Sequence, residues 1–288
     1  MLNISQVLSQ YNTKIKKISR QPDLESQLIL AFVLKKPRSY ILAHTDSELS
    51  KQQLSITTKL FARRLSGEPL AYLTGEQEFG ELSFKVNKYT LIPRWETELM
   101  VEQALSLAHN STNTTILDIG TGSGCIAITL AKKLPQVTVI ASDKSARALA
   151  VAKINATRHE VKITWLTGNL LQSLIKKINL LPKNTKQLIT TANLPYVPSA
   201  YLKNLKSKDK IGLKFEPLSA LNGGSDGLKY YRELSKQIKH LKNLRPKLII
   251  TVLMEIQPGQ VGAMQKIFEH NFIIKDLAKK DRLVIANF

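Results

Sequence analysis

The sequence predicts a doubly wound α/β domain with a mostly parallel sheet of seven strands, preceded by a small helical domain. Three observations support this fold class. From residue 114 onwards, short apolar segments alternate with longer amphipathic ones, as strands and helices do in a parallel sheet. Several of the short segments are apolar along their whole length, which is typical of strands that are covered on both faces. The first 75 residues show helical patterns instead.

Residues 1–75 are predicted to form the helical domain. Asp23 can cap the start of one helix. The apolar residues that follow it recur with helical spacing: Leu24, Leu28, Ala31 and Phe32. A second helix is predicted over residues 47–65, and Ser66 and Gly67 end it. These patterns also fit a plain helical bundle that only stabilises the rest of the chain.

Residues 76–93 change character, because apolar side chains are set there among glycine and polar residues. This pattern predicts a short hairpin that serves as a linker. A helix is predicted over residues 94–109, where Glu96 and Glu98 suit the positive end of the helix dipole. The α/β domain is therefore expected to span residues 94–288.

Seven strands are predicted between residue 114 and the end of the chain. They are "TTILDIG", "QVTVIASD", "VKITWLTG", "QLITTAN", "PKLIITVLMEI", "FIIKDL" and "RLVIANF". Only the short polar segment "AKKD" separates the last two strands. A short connection joins antiparallel neighbours, so these two are predicted to form an antiparallel hairpin at or near one edge of the sheet.

The chain carries a formal net charge of +20, from 42 basic and 22 acidic side chains. Such a surface suits nucleic acid or other acidic partners, but scattered lysines with few aromatics also describe a solubility surface. The lysine-rich block 171–215 is expected to be a solvated face. The single cysteine, Cys125, excludes an internal disulfide and a cysteine-based zinc site. With no 18-residue apolar run and no secretory leader, we expect a cytoplasmic protein.

The stretch "LDIGTGSGC" at 117–125 places three glycines between a predicted strand and a predicted helix. Glycine lets the backbone approach a ligand closely, and doubly wound folds bind nucleotides at this edge. The spacing is not that of the dinucleotide fingerprint, and Asp118 before the turn disfavours a pyrophosphate. Asp143 ends the next strand, where a carboxylate receives ribose hydroxyls. These features favour S-adenosylmethionine, which has an ammonium and no phosphate, over a turn needed only for packing.

A second motif, Asn193-Leu194-Pro195-Tyr196, ends the fourth of these strands, next to the glycine turn. A planar nitrogen is a weak nucleophile because its lone pair is delocalised. The Asn193 side-chain carbonyl and the Leu194 main-chain carbonyl, held extended before Pro195, can fix both N–H bonds of such a nitrogen. Its lone pair then faces the methyl donor, and Tyr196 offers a flat face to the planar group. The gain is positioning and hydrogen bonds that strengthen as charge builds.

The sequence resembles the release-factor glutamine methyltransferases, the HemK/PrmC family, over nearly its full length. The stretches that carry the resemblance are "GEPLAYLTGEQEF", "LIPRWETELMVE", "LDIGTGSGCIAI", "ANLPYVP", "FEPLSALNGGSDGLKYYREL" and "MEIQPGQ". The glycine motif marks only a methyltransferase, whereas "IPRWETE" and "FEP…GGSDGL" are more specific to this family.

The resemblance implies a Rossmann-like fold of the class I methyltransferases and transfer from S-adenosylmethionine, which leaves S-adenosylhomocysteine. The target would be the side-chain amide nitrogen, N5, of glutamine in the Gly-Gly-Gln motif of class 1 peptide chain release factors. The helical domain would help to dock this protein substrate. No metal is expected, and a monomer is the default. The implied cofactor contacts are Asp118, Gly120, Thr121, Gly122, Ser123, Gly124, Asp143, Asn169, Leu170 and Asn193.

Three positions depart from the family pattern. Leu194 replaces the first proline of the Asn-Pro-Pro-Tyr motif, but it keeps the carbonyl that the chemistry uses. It loses the fixed φ of proline and adds an N–H, so slower chemistry is expected. Trp95 replaces a proline in "IPRWETE". Asn169 stands where an acidic residue is usual, which weakens the evidence for an adenine contact.

Two other functions fit parts of the sequence. Methylation of N6 of adenine in DNA or RNA uses the same chemistry and suits the basic charge, although the N-terminal helices resemble no known base-reading module. A non-catalytic module that binds a release factor or the ribosome would also fit, if Leu194 had abolished the chemistry.

Overall fold

The computed structural model describes residues 2–108, 113–205 and 210–288. These residues form two compact units. The first is the chain up to Glu76 together with Leu205–Phe215, and the second is Gln77–Asn204 together with Glu216–Phe288. The functional domain limits drawn from the sequence at residues 75 and 93 stay predictions.

The first unit is helical. Its N-terminal helices are α1 (Ile4–Ile15), α2 (Pro22–Leu34), α3 (Arg38–Ala43), α4 (Lys51–Leu65) and α5 (Leu70–Thr74). Asn3 caps α1 and Ser50 caps α4, each in a reciprocal capping box with the glutamine three residues later. The buried side chains of these helices form one apolar cluster.

The predicted buried face of α2 is wrong in part. Pro22 occupies the first turn of α2, so Asp23 lies inside the helix rather than at its cap. The buried residues of α2 are Ser26, Ile29, Leu30 and Ala31, whereas Phe32 is exposed. This helix is apolar almost all round, so its sequence does not single out one face.

A two-stranded hairpin of β1 (Glu76–Phe79) and β2 (Leu82–Lys85) comes next in the chain. A single 3-10 turn, Trp95–Thr97, then leads into α6 (Glu98–Ala108). The predicted end of this helix at His109 lies outside the described residues.

The second unit contains a seven-stranded sheet, which confirms the predicted fold class. Its strands are β3 (Thr114–Ile119), β4 (Thr138–Asp143), β5 (Thr164–Thr167), β6 (Gln187–Ala192), β7 (Ile249–Glu255), β8 (Asn271–Lys275) and β9 (Asp281–Asn287). The spatial order is β5-β4-β3-β6-β7-β9-β8. Strands β3 to β7 pair in parallel, and β9 runs antiparallel to β7 and β8. The closing hairpin therefore forms one edge, as predicted.

Helices cover both faces of the sheet. After α6 the helices are α7 (Cys125–Lys133), α8 (Ala146–Arg158), α9 (Gln172–Lys176), α10 (Ser199–Lys203), the kinked α11 (Lys210–Leu213), α12 (Leu218–Leu221), α13 (Lys229–Leu244) and α14 (Val261–Ile267). Alternate residues of the central strands enter two separate cores. Leu117 and Ile119 of β3 pack in one core and Ile116 packs in the other, as the strand period of two requires.

The lysine-rich block 171–215 is not simply a solvated face. It contains the buried strand β6, and Leu171, Leu174 and Leu181 lie in the apolar core of the second unit. Its last residues belong to the helical unit, where the Gly212 N–H donates to the Gly67 carbonyl at 2.9 Å. Residues 206–209 of this block lie outside the described residues.

Candidate active site

A pocket lies at the carboxyl ends of β3, β4 and β6. Parallel strands bring their carboxyl ends to one edge, and β3 pairs with both β4 and β6. Ten of the residues predicted from the sequence line this pocket: Gly120, Thr121, Gly122, Ser123, Asp143, Asn169, Leu170, Asn193, Leu194 and Pro195. The structure thus brings together both motifs, which lie about 70 residues apart in the chain.

Asp118, Gly124 and Tyr196 are not among the residues that line the pocket. The Asp118 carboxylate is fully buried in the sheet, where it accepts a 2.7 Å hydrogen bond from the Thr191 hydroxyl. Burial raises the pKa of Asp118 to about 6. It therefore lies beneath the glycine turn rather than on the pocket wall.

The glycine turn needs its glycines for two different reasons. Gly120, Gly122 and Gly124 all have positive φ, where other residues are strained. At Gly124 an added Cβ would also lie 2.9 Å from Ile128 and 3.1 Å from Ala152, so this glycine serves the packing of α7 on α8. At Gly122 no such contact is closer than 3.9 Å. Gly122 therefore leaves room for a ligand on the pocket side.

Asp143 is held by two main-chain donors. The Gly122 N–H donates to Oδ2 at 2.9 Å and the Ser145 N–H donates to Oδ1 at 2.8 Å. Burial raises the pKa of this carboxyl, and these hydrogen bonds oppose the rise. Each carboxylate oxygen keeps a further lone pair, so Asp143 can still accept from a pair of ribose hydroxyls.

The Asn193 side chain is oriented by two buried groups. Its amide nitrogen donates to the Thr97 hydroxyl at 3.0 Å and to Glu255 Oε2 at 3.1 Å. The Thr97 hydroxyl in turn donates to the same Glu255 oxygen at 2.6 Å. Two acceptors therefore hold the amide nitrogen of Asn193, and its carbonyl oxygen accepts no hydrogen bond within the described part of the chain.

Tyr196 belongs to the same network. Its hydroxyl donates to Glu255 Oε1 at 3.1 Å, and burial together with the nearby carboxylate raises the pKa of this phenol. Glu255 itself is buried, and burial raises its pKa against the hydrogen bonds from Thr97 and Tyr196. One carboxyl group therefore holds the first and the last residue of the Asn-Leu-Pro-Tyr motif.

Thr97 and Glu255 are functional candidates that the sequence reading missed. Thr97 follows the acidic first turn in "RWETE", and Glu255 ends a strand that reads as purely structural. One sequence signal could have identified Glu255, which is a carboxylate at the end of an apolar strand, where a buried position is expected. Charged groups are rarely buried unless they are paired, so a partner was to be expected.

Two glycines allow the "GGSDGL" segment to pass close to the backbone of the Asn-Leu-Pro-Tyr motif. A Cβ at Gly223 would lie 2.6 Å from the Pro195 carbonyl oxygen and 2.7 Å from that of Gly227. A Cβ at Gly227 would overlap the Tyr196 carbonyl oxygen. The Val197 N–H also donates to the Leu221 carbonyl at 2.9 Å. This close backbone approach is why glycine is needed there.

Asn169 stands at the pocket wall with its amide nitrogen donating to Glu233 Oε1. Gln237 also donates to that oxygen at 3.1 Å and accepts from the Leu171 N–H at 2.7 Å. The oxygen of the Asn169 amide is therefore the end that remains for a donor such as an exocyclic amine.

Asn155 links the β1–β2 hairpin to the glycine turn. It is fully buried, and its side chain donates to the carbonyls of Lys85 at 3.0 Å and Ser123 at 2.8 Å. It also accepts from the Lys85 N–H at 2.7 Å. The predicted linker hairpin is thus part of the second unit and supports the pocket.

The residues present fit S-adenosylmethionine. The glycine turn leaves open space at Gly122, where an added Cβ would meet nothing closer than 3.9 Å, and Asp143 has acceptor capacity for hydroxyls. Cys125 is not a nucleophile here, because burial raises the pKa of its thiol to about 12. It opens α7 as a small buried residue.

Among the described residues there is no group of three or more His, Cys, Asp or Glu side chains placed to hold a metal ion. None of the helices in the described ranges is both long and apolar enough to span a membrane.

Comparisons with protein families match most of the first unit and part of the second. The PrmC N-terminal domain matches residues 6–75, and the methyltransferase small domain matches residues 97–184.

Individual proteins give a consistent picture. The chain is 39% identical over 209 residues to the release factor glutamine methyltransferase of Geobacter sulfurreducens, covering 73% of this chain and 69% of that protein. It is 36% identical to that of Thermodesulfovibrio yellowstonii, covering 91% of each chain. Among solved structures, the hMettl16 catalytic domain in complex with MAT2A 3'UTR hairpin 1 has a TM-score of 0.51 at 14% identity. It covers 99% of this chain and 90% of that one, and it supports the fold alone.

Proposed function

This chain belongs to the family of release factor glutamine methyltransferases. We propose that it transfers the methyl group of S-adenosylmethionine to the side-chain amide nitrogen, N5, of a glutamine. This glutamine lies in the Gly-Gly-Gln motif of class 1 peptide chain release factors. S-adenosylmethionine supplies an electrophilic methyl group on a sulfonium.

The protein must make an amide nitrogen nucleophilic. The two N–H bonds of the glutamine amide donate to the Asn193 side-chain oxygen and to the Leu194 main-chain oxygen. Fixing both bonds turns the nitrogen lone pair towards the methyl group. The two hydrogen bonds strengthen as positive charge develops on the nitrogen, which lowers the barrier. The new nitrogen–carbon bond would form as the sulfur–methyl bond of the sulfonium breaks, which leaves S-adenosylhomocysteine. The amide N–H becomes acidic as the charge builds, so water can take the proton and no side chain needs to act as a strong base.

The observation that carries this proposal is the orientation of the Asn193 amide, whose nitrogen donates to Thr97 and Glu255. With its nitrogen fixed in this way, only the carbonyl end of the Asn193 amide is left to meet a substrate N–H. The Leu194 carbonyl likewise accepts no hydrogen bond from the rest of the described chain, although it lies in a buried residue at the pocket wall.

The cofactor contacts are proposed as follows. Asp143 accepts from the ribose hydroxyls, and the Asn169 oxygen accepts from the adenine amino group. Residues 120–123 pass close to the cofactor through their main chain. Asp118 acts from beneath the turn and lends negative charge to the region that receives the ammonium group.

The remaining properties follow from the family and the sequence. The helical N-terminal domain, residues 1–75, helps to dock the release factor. The enzyme works as a monomer in the cytoplasm, uses no metal, and does not take nucleic acid as its substrate.

The test is methyl transfer from labelled S-adenosylmethionine to a purified class 1 release factor. We expect one label per release factor, and mass spectrometry should place it on the glutamine of the Gly-Gly-Gln motif. The matched control is the same release factor with that glutamine replaced by asparagine, which should stay unlabelled.

DNA and RNA containing adenine are incubated in parallel. Label that survives the glutamine replacement, or that enters nucleic acid instead, would overturn the proposal.

A further inference from the structure

Two large apolar side chains stand exposed beside residues that line the pocket. Trp95 is 78% exposed and Leu218 is 61% exposed. In the chain, Trp95 follows Arg94 and Leu218 precedes Ser219, and both of these neighbours line the pocket. Each exposed side chain is therefore next in sequence to the pocket lining.

The segments that carry these two side chains are fixed to each other. Glu216 is buried and forms an ion pair with Arg94. The same carboxylate accepts from the Ile92 N–H at 3.2 Å. One buried carboxylate thus connects the chain just before Trp95 to the chain just before Leu218, so the positions of these two segments are set by tertiary contacts.

Leu218 is exposed because of the helix that it begins. In α12, Leu221 is buried at 7% exposure, and its carbonyl accepts from Val197 next to the Asn-Leu-Pro-Tyr motif. Residues three apart lie near one another on a helix, so Leu218 and Leu221 are neighbours. Leu218, however, stands at the start of this single turn, and its side chain points outward. Burying a leucine or a larger apolar side chain stabilises a protein, and these two side chains contribute little of that stabilisation in the free chain.

Because the glutamine side chain is short, the polypeptide that carries it must come close to the mouth of the pocket. A glutamine amide lies roughly 5 Å from its own backbone, given bonds of about 1.5 Å. The polypeptide on either side of the glutamine must therefore lie across the pocket mouth when the amide reaches Asn193. Glycine neighbours have no side chains, so their flat peptide groups can lie directly on an indole ring.

We propose that Trp95 and Leu218 form the apolar seat for the release factor segment that flanks the methylated glutamine. This inference rests on the proposed function. Trp95 covers the peptide planes on one side of the glutamine, and Leu218 contacts the other side. Tryptophan is enriched among the residues that carry most of the binding energy at protein interfaces, and a rigid seat limits the entropy lost on binding.

The experiment measures steady-state methylation of the release factor by Trp95→Ala and Leu218→Ala. We expect the KM for the release factor to rise on the order of tenfold in each variant, as for loss of an interface anchor. The kcat and the dissociation constant for S-adenosylmethionine should stay within twofold of the wild type, because only uniform substrate binding is removed.

Phe272→Ala and Leu277→Ala are the matched controls, since these exposed apolar side chains lie in the same unit on β8 and on the turn after it. Both should keep the wild-type KM. The proposed seat would be refuted if Trp95→Ala and Leu218→Ala kept the wild-type KM. It would also be refuted if the KM of the control variants rose equally. A wild-type enzyme that does not label the release factor would instead overturn the proposed function together with the seat.

Tryptophan fluorescence gives a second measurement that does not depend on turnover. The chain has two tryptophans, so Trp165→Phe leaves Trp95 as the only one. Adding a tryptophan-free peptide with the Gly-Gly-Gln motif, in the presence of S-adenosylhomocysteine, should protect Trp95 from acrylamide quenching. Quenching that is unchanged at saturating peptide would contradict the contact.

Discussion

At the scale of single residues, the proposed reaction depends on one carboxamide. Asn193 was recognisable from the sequence because asparagine is a poor strand former and stands here directly after a buried strand. Its neighbour Leu194 departs from the family pattern, yet the carbonyl that the mechanism uses is present in any residue. The side chain of Leu194 packs into the core, and an added Cβ at Gly120 would meet it at 3.4 Å.

Replacing Asn193 by alanine removes the proposed acceptor. We expect Asn193→Ala to lower kcat on the order of a hundredfold, as for loss of one transition-state hydrogen bond. The dissociation constant for S-adenosylmethionine should change little, and isothermal titration calorimetry can check this. Asp143→Ala provides the contrast, because it should weaken cofactor binding. Unchanged turnover in Asn193→Ala would show that the acceptor lies elsewhere.

Glu255 is a positioning residue, because it acts through Asn193 and Tyr196. Glu255→Gln keeps the shape of the side chain but replaces one accepting oxygen with an NH2 group, which cannot accept a hydrogen bond. Either Tyr196 or the pair Asn193 and Thr97 then loses its acceptor. We expect kcat to fall on the order of tenfold, since small misplacements of a positioning group are costly.

A double-mutant cycle separates positioning from a general structural effect. In the Asn193→Ala background, Glu255→Gln should change kcat less than twofold, because residues that act as one unit are not additive. Fully additive losses would mean that Glu255 affects the reaction by another route.

At the scale of elements, the site depends on segments that approach one another without side chains between them. The chain around Gly223 lies against the Asn-Leu-Pro-Tyr motif at backbone distance, which explains why the "GGSDGL" stretch accompanies this motif. The hairpin β1–β2 has a similar supporting role, because Asn155 connects it to the main chain of Ser123.

Gly223→Ala tests this close approach. Its Cβ would lie 2.6 Å from the Pro195 carbonyl oxygen, so the motif has to move. We expect kcat to fall at least tenfold, since a displacement of about 1 Å can cost a hundredfold. Gly262→Ala is the matched control, because a Cβ there meets nothing within 4 Å. Wild-type turnover in both variants would contradict the close-packing explanation.

At the scale of the whole molecule, the buried Asp118 links stability to pH. Its pKa is about 6 in the folded chain and near 3.8 without burial. Between these values the folded state binds more protons, so the free energy of unfolding falls as pH rises from about 4 to 6. The loss is roughly 3 kcal/mol for this shift.

Asp118→Asn should remove this part of the pH dependence, because asparagine keeps an acceptor for the Thr191 hydroxyl and does not titrate in this range. Urea unfolding at pH 4, 5, 6 and 7 measures it in both proteins. Glu255 contributes to both curves, so the difference between the two curves reports Asp118 together with its charge interaction with Asp143. Parallel curves would show that this carboxyl titrates normally.

The sequence by itself determined the fold class, the order of the strands along the chain and the two motifs of the pocket. Those features follow from local patterns in the sequence. The patterns are period-two and period-3.6 apolar spacing, glycines with positive φ, and a strand that stops at an asparagine and a proline. A local pattern needs only its own neighbours to be read.

Only the tertiary structure decided which distant groups complete the site. Thr97 and Glu255 lie 96 and 62 residues away from Asn193 in sequence, and Gly223 is needed only because another segment of backbone passes beside it. The tertiary structure also places Asp118 beneath the pocket floor and directs the Tyr196 hydroxyl towards a carboxylate. Hydrogen bonds and steric contacts act over a few ångströms of space, and no spacing along the chain records which segments folding will bring within that range.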